Sequence, residues 1–213
     1  MTSNRERVID YFNQCDIDYR IIWGTGRNLS LHFGFYDENH KKHDEALINM
    51  NRVLARTAKI SSTDKILDAG CGIGGSAIWL AKNFGANVIG INISDKQIKT
   101  AEKLAEKNKA SSLVKFAKRD FTDTKFPKDS FDVAWFLESS CYAEDKKSLA
   151  SEARRVLKKG GRLVLADGFL KKKNLTKKEE KEMNSWLSGW AIPNLATPGE
   201  LRKYLEESGF RNI

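Results

Sequence analysis

The sequence predicts an α/β fold, a doubly wound parallel sheet with helices on both faces, and three observations carry that expectation. Five short segments, Lys65–Ala69, Asn87–Ile91, Leu113–Ala117, Phe131–Phe136 and Gly161–Asp167, read as strands and alternate with helical patterns. The first runs straight into a glycine-rich turn, I-L-D-A-G-C-G-I-G-G over Ile66–Gly75, in which Gly70, Gly72 and Gly75 fit GxGxxG. The 213 residues are enough for one sizeable core and too few for two comfortable domains.

The elements follow in order. Arg5–Asn13 fits a short helix, and in Asp18–Trp23 the side chains of Tyr19, Ile22 and Trp23 share one face. Gly24, Gly26, Asn28 and Gly34 then break regularity and leave an aromatic loop through His32, Phe33, Phe35 and Tyr36, expected to form a lid or pocket wall. His43–Ala58 carries Ala46, Leu47, Met50, Val53 and Leu54 at helical spacing. Residues 1–60 are therefore expected to be a helical lid and lead-in helix, and 61–213 a cofactor-binding core, in one structural unit. Within the core, Ser94 and Gln97 read as a capping box, and Gly160 is placed to end the helix before the fifth strand. An insertion over 168–196, with a lysine run, a helix over Thr176–Leu187, Trp186, Trp190 and Pro193, is expected to fold over the pocket. The last helix starts at Thr197, with Pro198 first and Glu200 closing a box, and stops at Gly209.

The glycine turn lets backbone pass close to a cofactor and aims helix N–H groups at it. Asp68, two residues before Gly70, would repel a pyrophosphate but suits a cationic amino group. The second strand ends in Gly90, Ile91 and Asn92, where an NAD site usually places an acid. The site thus favours something other than a dinucleotide. In a parallel sheet, Asp68, Asn92, Asp120, Phe136, Glu138 and Asp167 all fall at strand ends on one side, around one crevice.

With these residues in place, the chain resembles the class I S-adenosylmethionine-dependent methyltransferases, in particular the small-molecule group that includes tocopherol and sterol C-methyltransferases. The match runs from about Tyr19 to Gly209, through Asp68–Gly75, Gly90–Gln97, Phe126–Glu138 and Leu157–Gly168 in that order. It implies a Rossmann-like methyltransferase sheet, S-adenosyl-L-methionine as cofactor, and in-line methyl transfer to a small, apolar or amphipathic acceptor. It further implies that Gly70, Cys71, Gly72 and Gly74 pass the methionine moiety, with Asp68 near its amino group. Asn92 matches a position where many relatives hold the ribose with an acid; its amide lacks the charge, and a local helix-capping role stays open. Ile93 would lie against the adenine, Gln97 would complete the set, Asp120 would accept from the adenine amino group and Phe121 would pack on the ring. Glu138 is the first candidate for a base and His32 the second. Tyr19, Trp23 and Tyr36 could face the sulfonium, and Trp186 and Trp190 the acceptor. Each of these also has a structural reading: a capping Asp68, a buried carboxylate at Glu138, core packing for the aromatics. Family members continue past the last helix into further strands, so a sequence ending at Phe210–Ile213 is expected to lack the last C-terminal strands.

Charge and composition narrow the class. The formal charge of +9 invites a nucleic-acid reading, yet the lysines are interleaved with acids, which favours solvated faces. His32, His40 and His43 lack metal-site spacing, and no metal is expected. Cys15, Cys71 and Cys141 are widely spaced, no run of 18 apolar residues occurs, and the polar N-terminus shows no secretory signal, so the expected setting is cytoplasmic. An RNA or protein methyltransferase, and a degenerate cofactor-binding module without turnover, remain the rival readings. Oligomeric state is left open.

Overall fold

The computed structural model describes residues 3–15 and 29–213, so Tyr19 and Trp23 lie outside the described residues. Helix α1 (Asn4–Gln14) opens with a capping box in which Ser3 and Glu6 satisfy each other's backbone donors. Helix α2 (His43–Thr57) buries Ala46, Leu47, Leu54 and Ala55. The alternating core follows: β1 (Lys65–Ala69), α3 (Gly75–Phe84), β2 (Asn87–Asn92), α4 (Asp95–Lys107), β3 (Val114–Lys118), β4 (Phe131–Leu137), a 3-10 turn (Ser140–Tyr142), α5 (Lys146–Val156) and β5 (Leu157–Ala166). Helices α6 (Lys177–Gly189) and α7 (Pro198–Glu207) complete the order.

The strands form one parallel sheet in the order β3-β2-β1-β4-β5. Because strand side chains alternate between faces, adjacent apolar residues feed two cores. Ile66, Val88, Val133 and Trp135 pack with α2, α3 and α4 on one face. Leu67, Ala134 and Phe136 pack with Leu149, Ala153 and Val156 of α5 on the other, where α7 joins through Leu201 and Leu205. The order reverses between β1 and β4, and a crevice opens at the carboxyl ends of these strands.

Two local expectations are corrected. Gly160 does not end the helix: α5 stops at Val156, and Leu157 already pairs with Phe131 as the first residue of β5. Gly160, at φ 77°, instead lies where the β4–β5 register shifts, in a bulged start to the strand. Ser94 caps α4 by accepting from Gln97 N–H, but Gln97 does not reciprocate. Its side-chain oxygen accepts from Asn92 Nδ2 at 2.7 Å, and Asn92 Oδ1 takes over the Ser94 N–H at 2.9 Å. The boxes at Thr176–Glu179 and Thr197–Glu200 are both complete, the second with Pro198 in the first turn. After α7 the residues to Ile213 form no strand.

Candidate active site

A cavity of about 390 Å³ fills the crevice. Its floor comes from the ends of β1, β2 and β4 and the loop after β3, and α1 contributes Asn4, Arg5, Val8, Ile9 and Phe12 to its wall.

Asp68 is the most unusual polar group in it. The residue is 3% exposed, and its Oδ2 has no hydrogen-bond partner among the described residues. Oδ2 is therefore open to a donor from a ligand. Desolvation raises the carboxyl to about 7, only partly opposed by the Ala77 hydrogen bond. Behind it, Gly70 at φ 86° presses against Ser139, and a Cβ there would collide with the Ser139 side chain. Ser139 Oγ in turn donates to the Ala69 carbonyl, tying the end of β4 to the glycine turn. Cys71 and Gly72 line the cavity as well. Gly74 is not among the lining residues: at φ 84° it forms the N-cap of α3, and a Cβ there would come within 2.5 Å of the Phe116 ring. Close packing, rather than ligand approach, accounts for that glycine.

Asn92, Ile93 and Gln97 form the next stretch of wall. Asn92 already makes the local capping bonds described above, so one lone pair and one N–H remain to it. Asp120 and Phe121 follow. Phe121 stacks edge-on against Phe136, with centroids 5.8 Å apart. Asp120 Oδ1 accepts from both the Thr122 N–H and its hydroxyl at 2.7 Å, and Oδ2 pairs with Arg5 of α1. Burial works against the Asp120 charge, but the Thr122 hydrogen bonds and the Arg5 guanidinium outweigh it and hold the carboxyl below its usual range. Helix α1 is thereby pinned across the cavity by a contact to a residue expected to serve the cofactor.

Glu138 marks the opposite side. Its backbone adopts φ 50°, rare for a non-glycine residue, just past the end of β4, while its N–H donates to the Ala166 carbonyl at 2.8 Å. Its Oε1 accepts from the Phe33 N–H at 2.7 Å. Desolvation pushes the carboxyl up to about 7, the Phe33 hydrogen bond lowers it, and the nearby Asp167 charge raises it again. Asp167 itself accepts from Ser140 Oγ and from the Cys141 and Gly168 N–H groups. His32 also lines the cavity but is poorly suited to act as a base. It is 5% exposed, and desolvation holds it down to about 4. Its Nδ1–H donates to the Phe33 carbonyl at 2.9 Å, and Nε2 accepts from Asn51 Nδ2 at 3.4 Å, so both ring nitrogens are engaged.

Other expected residues lie elsewhere. Tyr36 is 55% exposed and bonds through its hydroxyl to His43 rather than lining the cavity. Trp186 is 46% exposed; it stacks on Trp190, which stacks on Tyr11 of α1. These tryptophans brace α6 against α1 instead of facing the cavity. His40 is held between Asp37 and Arg52. Ser76, Asn51, Thr122 and Arg5 carry no local sequence signal, because their contacts to the site are made across long stretches of chain or, for Thr122, inside a loop.

Residues 67–165 match the family model described as a methyltransferase domain. A 2-methyl-6-phytyl-1,4-hydroquinone methyltransferase of Synechocystis is 40% identical over 195 residues, covering 88% of this chain and 59% of the relative. The chain carries a methyltransferase domain and is similar over most of its length to class I S-adenosylmethionine-dependent methyltransferases. Tocopherol O-methyltransferase of Arabidopsis thaliana is 33% identical, covering 76% of this chain and 49% of the relative. A sterol 24-C-methyltransferase of Pneumocystis carinii is 31% identical, covering 95% of the chain and 53% of the relative. The chain thus spans about half the length of the relatives it matches. Among solved structures, geranyl diphosphate C-methyltransferase from Streptomyces coelicolor superposes with a TM-score of 0.82 at 22% identity, covering 97% of this chain and 79% of that one. The cyclase SpnF does equally well, with a TM-score of 0.82 at 21% identity, covering 97% of this chain and 72% of that one. The methyltransferase fold is therefore shared with an enzyme named for another reaction, and the chemistry has to be argued from the site.

Proposed function

We propose that this chain binds S-adenosylmethionine in the cavity and transfers its methyl group to a small, apolar or amphipathic organic acceptor by in-line displacement. The observation that carries the reading is Oδ2 of buried Asp68 beside the glycine turn, which has no partner among the described residues and which an ammonium group would satisfy. Asp68 would hold the cofactor's amino group, Gly70, Cys71 and Gly72 would flank the methionine moiety, and Asn92, Ile93, Gln97, Asp120 and Phe121 would surround the nucleoside. When bound, S-adenosylmethionine supplies a methyl group already activated by its sulfonium.

The chain's own contribution is to align the acceptor, exclude water and handle a proton. Val8, Ile9, Phe12, Leu31, Leu137 and Tyr142 give the cavity an apolar wall. Helix α1 lies over it as a lid. Glu138 accepts the proton that a hydroxyl or ring-carbon acceptor gives up, and its raised carboxyl makes it a better base than an ordinary glutamate. His32, with both nitrogens engaged, orients the loop next to Glu138. Three relatives are named for tocopherol, a phytyl hydroquinone and a sterol, which supports an acceptor of that lipophilic class over nucleic acid. The unpaired thiols of Cys71 and Cys141, both buried, suit a reducing, cytoplasmic setting.

Incubation with methyl-labelled S-adenosylmethionine and a panel of prenylated quinols, sterols, isoprenoid diphosphates and RNA tests this reading. Label in an apolar small molecule is expected, with loss of transfer in Glu138→Gln. Label in RNA alone would overturn the acceptor class. Cofactor binding with no transfer to any member would favour a binding module.

A further inference from the structure

One buried chain of polar side chains runs from the glycine turn through His32 to the loop beside Glu138. Ser76, in the first turn of α3 and on the cavity wall, donates through Oγ to Asn51 Oδ1 at 2.8 Å. Asn51, 3% exposed on α2, donates through Nδ2 to His32 Nε2. His32 donates through Nδ1 to the Phe33 carbonyl, and the Phe33 N–H reaches Glu138 Oε1. The polarity of this chain is fixed. A hydroxyl facing Asn51 Oδ1 leaves only the NH2 end to meet His32, so His32 Nε2 must be the acceptor and Nδ1 the donor. The same loop is clamped to α2 at three further points: Phe35 N–H to the Ala46 carbonyl, and Asn49 Nδ2 to both the Phe35 carbonyl and Asp37. Nothing in simple packing requires two buried asparagines and a buried histidine on one helix–loop seam, since burying such groups is costly unless each is hydrogen-bonded.

We propose that Ser76, Asn51 and His32 are positioning residues, a relay running from the cofactor turn to Glu138 that fixes the Phe33 N–H on the Glu138 carboxylate and so sets how readily that carboxylate takes a proton. The inference rests on the reading of Glu138 as the base, and adds what controls it. The relay acts through geometry: the hydrogen bond to Phe33 favours the charged form of Glu138, and its loss leaves Glu138 facing only burial and the Asp167 charge. Among the described residues, the other titratable groups around Glu138 are Cys141 in the 3-10 turn and, beyond Asp167, Lys146 of α5, whose ammonium is spent on the carbonyls of Cys141, Ala143 and Asn194. None of these touches the relay.

The test needs no acceptor and no turnover. The Glu138 carboxyl carbon is followed by 13C NMR against pH in protein labelled at the glutamate carboxyl and bound to S-adenosylhomocysteine, with Glu138→Gln assigning the resonance. Asn51→Leu breaks the relay and is expected to move the Glu138 midpoint upward. Asn51→Asp accepts from both Ser76 and a protonated His32; the imidazolium stands one step nearer to Glu138 in the relay than the new carboxylate, so the midpoint is expected to move downward. Opposite shifts are the signature of the relay; a purely structural role would move both variants the same way or neither. Ser76→Ala, the mildest change, is expected to shift Glu138 in the direction of Asn51→Leu by a smaller amount. If Asn51→Leu does not fold, Asn51→Asp and Ser76→Ala decide the matter by their opposite signs. Unchanged Glu138 titration in folded variants would overturn the relay. The separate reading of Glu138 as the base fails if Glu138→Gln retains methyl transfer.

Discussion

Replacing Asp68 by Asn is expected to make the free protein more stable and its cofactor binding weaker. Burial raises Asp68 from an ordinary value of 3.8 to about 7. In the unfolded chain the group loses its proton near its ordinary value, whereas in the folded protein it keeps the proton until about 7. Between those values the folded state binds more protons, so stability falls as pH rises through this window and is flat above it. At about 1.36 kcal/mol per unit of pKa, the ceiling on this cost is about 4 kcal/mol; relaxation and water entry bring the expected gain in Asp68→Asn to roughly 1–3 kcal/mol at pH 8. The amide keeps the shape of the carboxyl, so the packing around it survives. What is lost is the anionic partner for an ammonium. A hydrogen bond to a charged group contributes about 1.5–3 kcal/mol, so S-adenosylhomocysteine should bind roughly 10- to 100-fold more weakly. Urea denaturation of the free protein from pH 5 to 8, paired with calorimetric titration at pH 8, reads both quantities. The stability gap between variant and wild type should open from pH 5 to 7 and then level off. A variant that is less stable than wild type at pH 8, or one that binds S-adenosylhomocysteine within twofold of wild type, would refute the assignment.

Three further outcomes follow from the same geometry. Methyl transfer should rise with pH through about 7 and plateau above it, because Glu138 must shed its proton to act as a base; a flat profile from pH 6 to 8.5 would remove it from that role. Arg5→Ala should change global stability by less than about 1 kcal/mol, since Arg5 is mostly exposed, yet loosen α1 over the cavity; faster amide exchange in α1 of the free protein is the readout, and unchanged exchange would mean the Asp120 pair does not hold the lid. Gly34→Ala would bring a Cβ within 2.7 Å of the Ala46 side chain and 2.9 Å of its backbone, forcing the loop off α2. A loss of about 1–3 kcal/mol in thermal or urea stability is expected, together with reduced transfer, and a neutral variant would show that the loop is not seated as described.

The sequence made the fold and half of the site legible for a local reason. Strand, glycine turn and helix are adjacent in the chain, so Asp68, Gly70 and Gly72 could be read from a ten-residue window, and Glu138 from the abrupt change of polarity at the end of β4. The other half is built by contacts between distant segments: Arg5 meets Asp120 across 115 residues, Phe33 meets Glu138 across 105, and Asn51 sits 19 residues from His32 and 25 from Ser76. No periodicity encodes such pairs. His32 drew attention as a titratable group in an aromatic loop, and only burial and its two partners show it to be a poor base. Trp186 and Trp190 had the composition of a pocket wall but are used to brace α6 against α1. Gly160 was read as a helix stop because glycine is common there, whereas the buried pairing of Leu157 with Phe131 ends the helix three residues earlier.

The central claim is that the cavity is built for S-adenosylmethionine, and calorimetric titration of the intact chain tests it most directly. The account predicts saturable one-to-one binding of S-adenosylmethionine and S-adenosylhomocysteine, with no binding of NAD or ATP under the same conditions. A folded sample that binds neither adenosyl compound, or that prefers NAD, would contradict it.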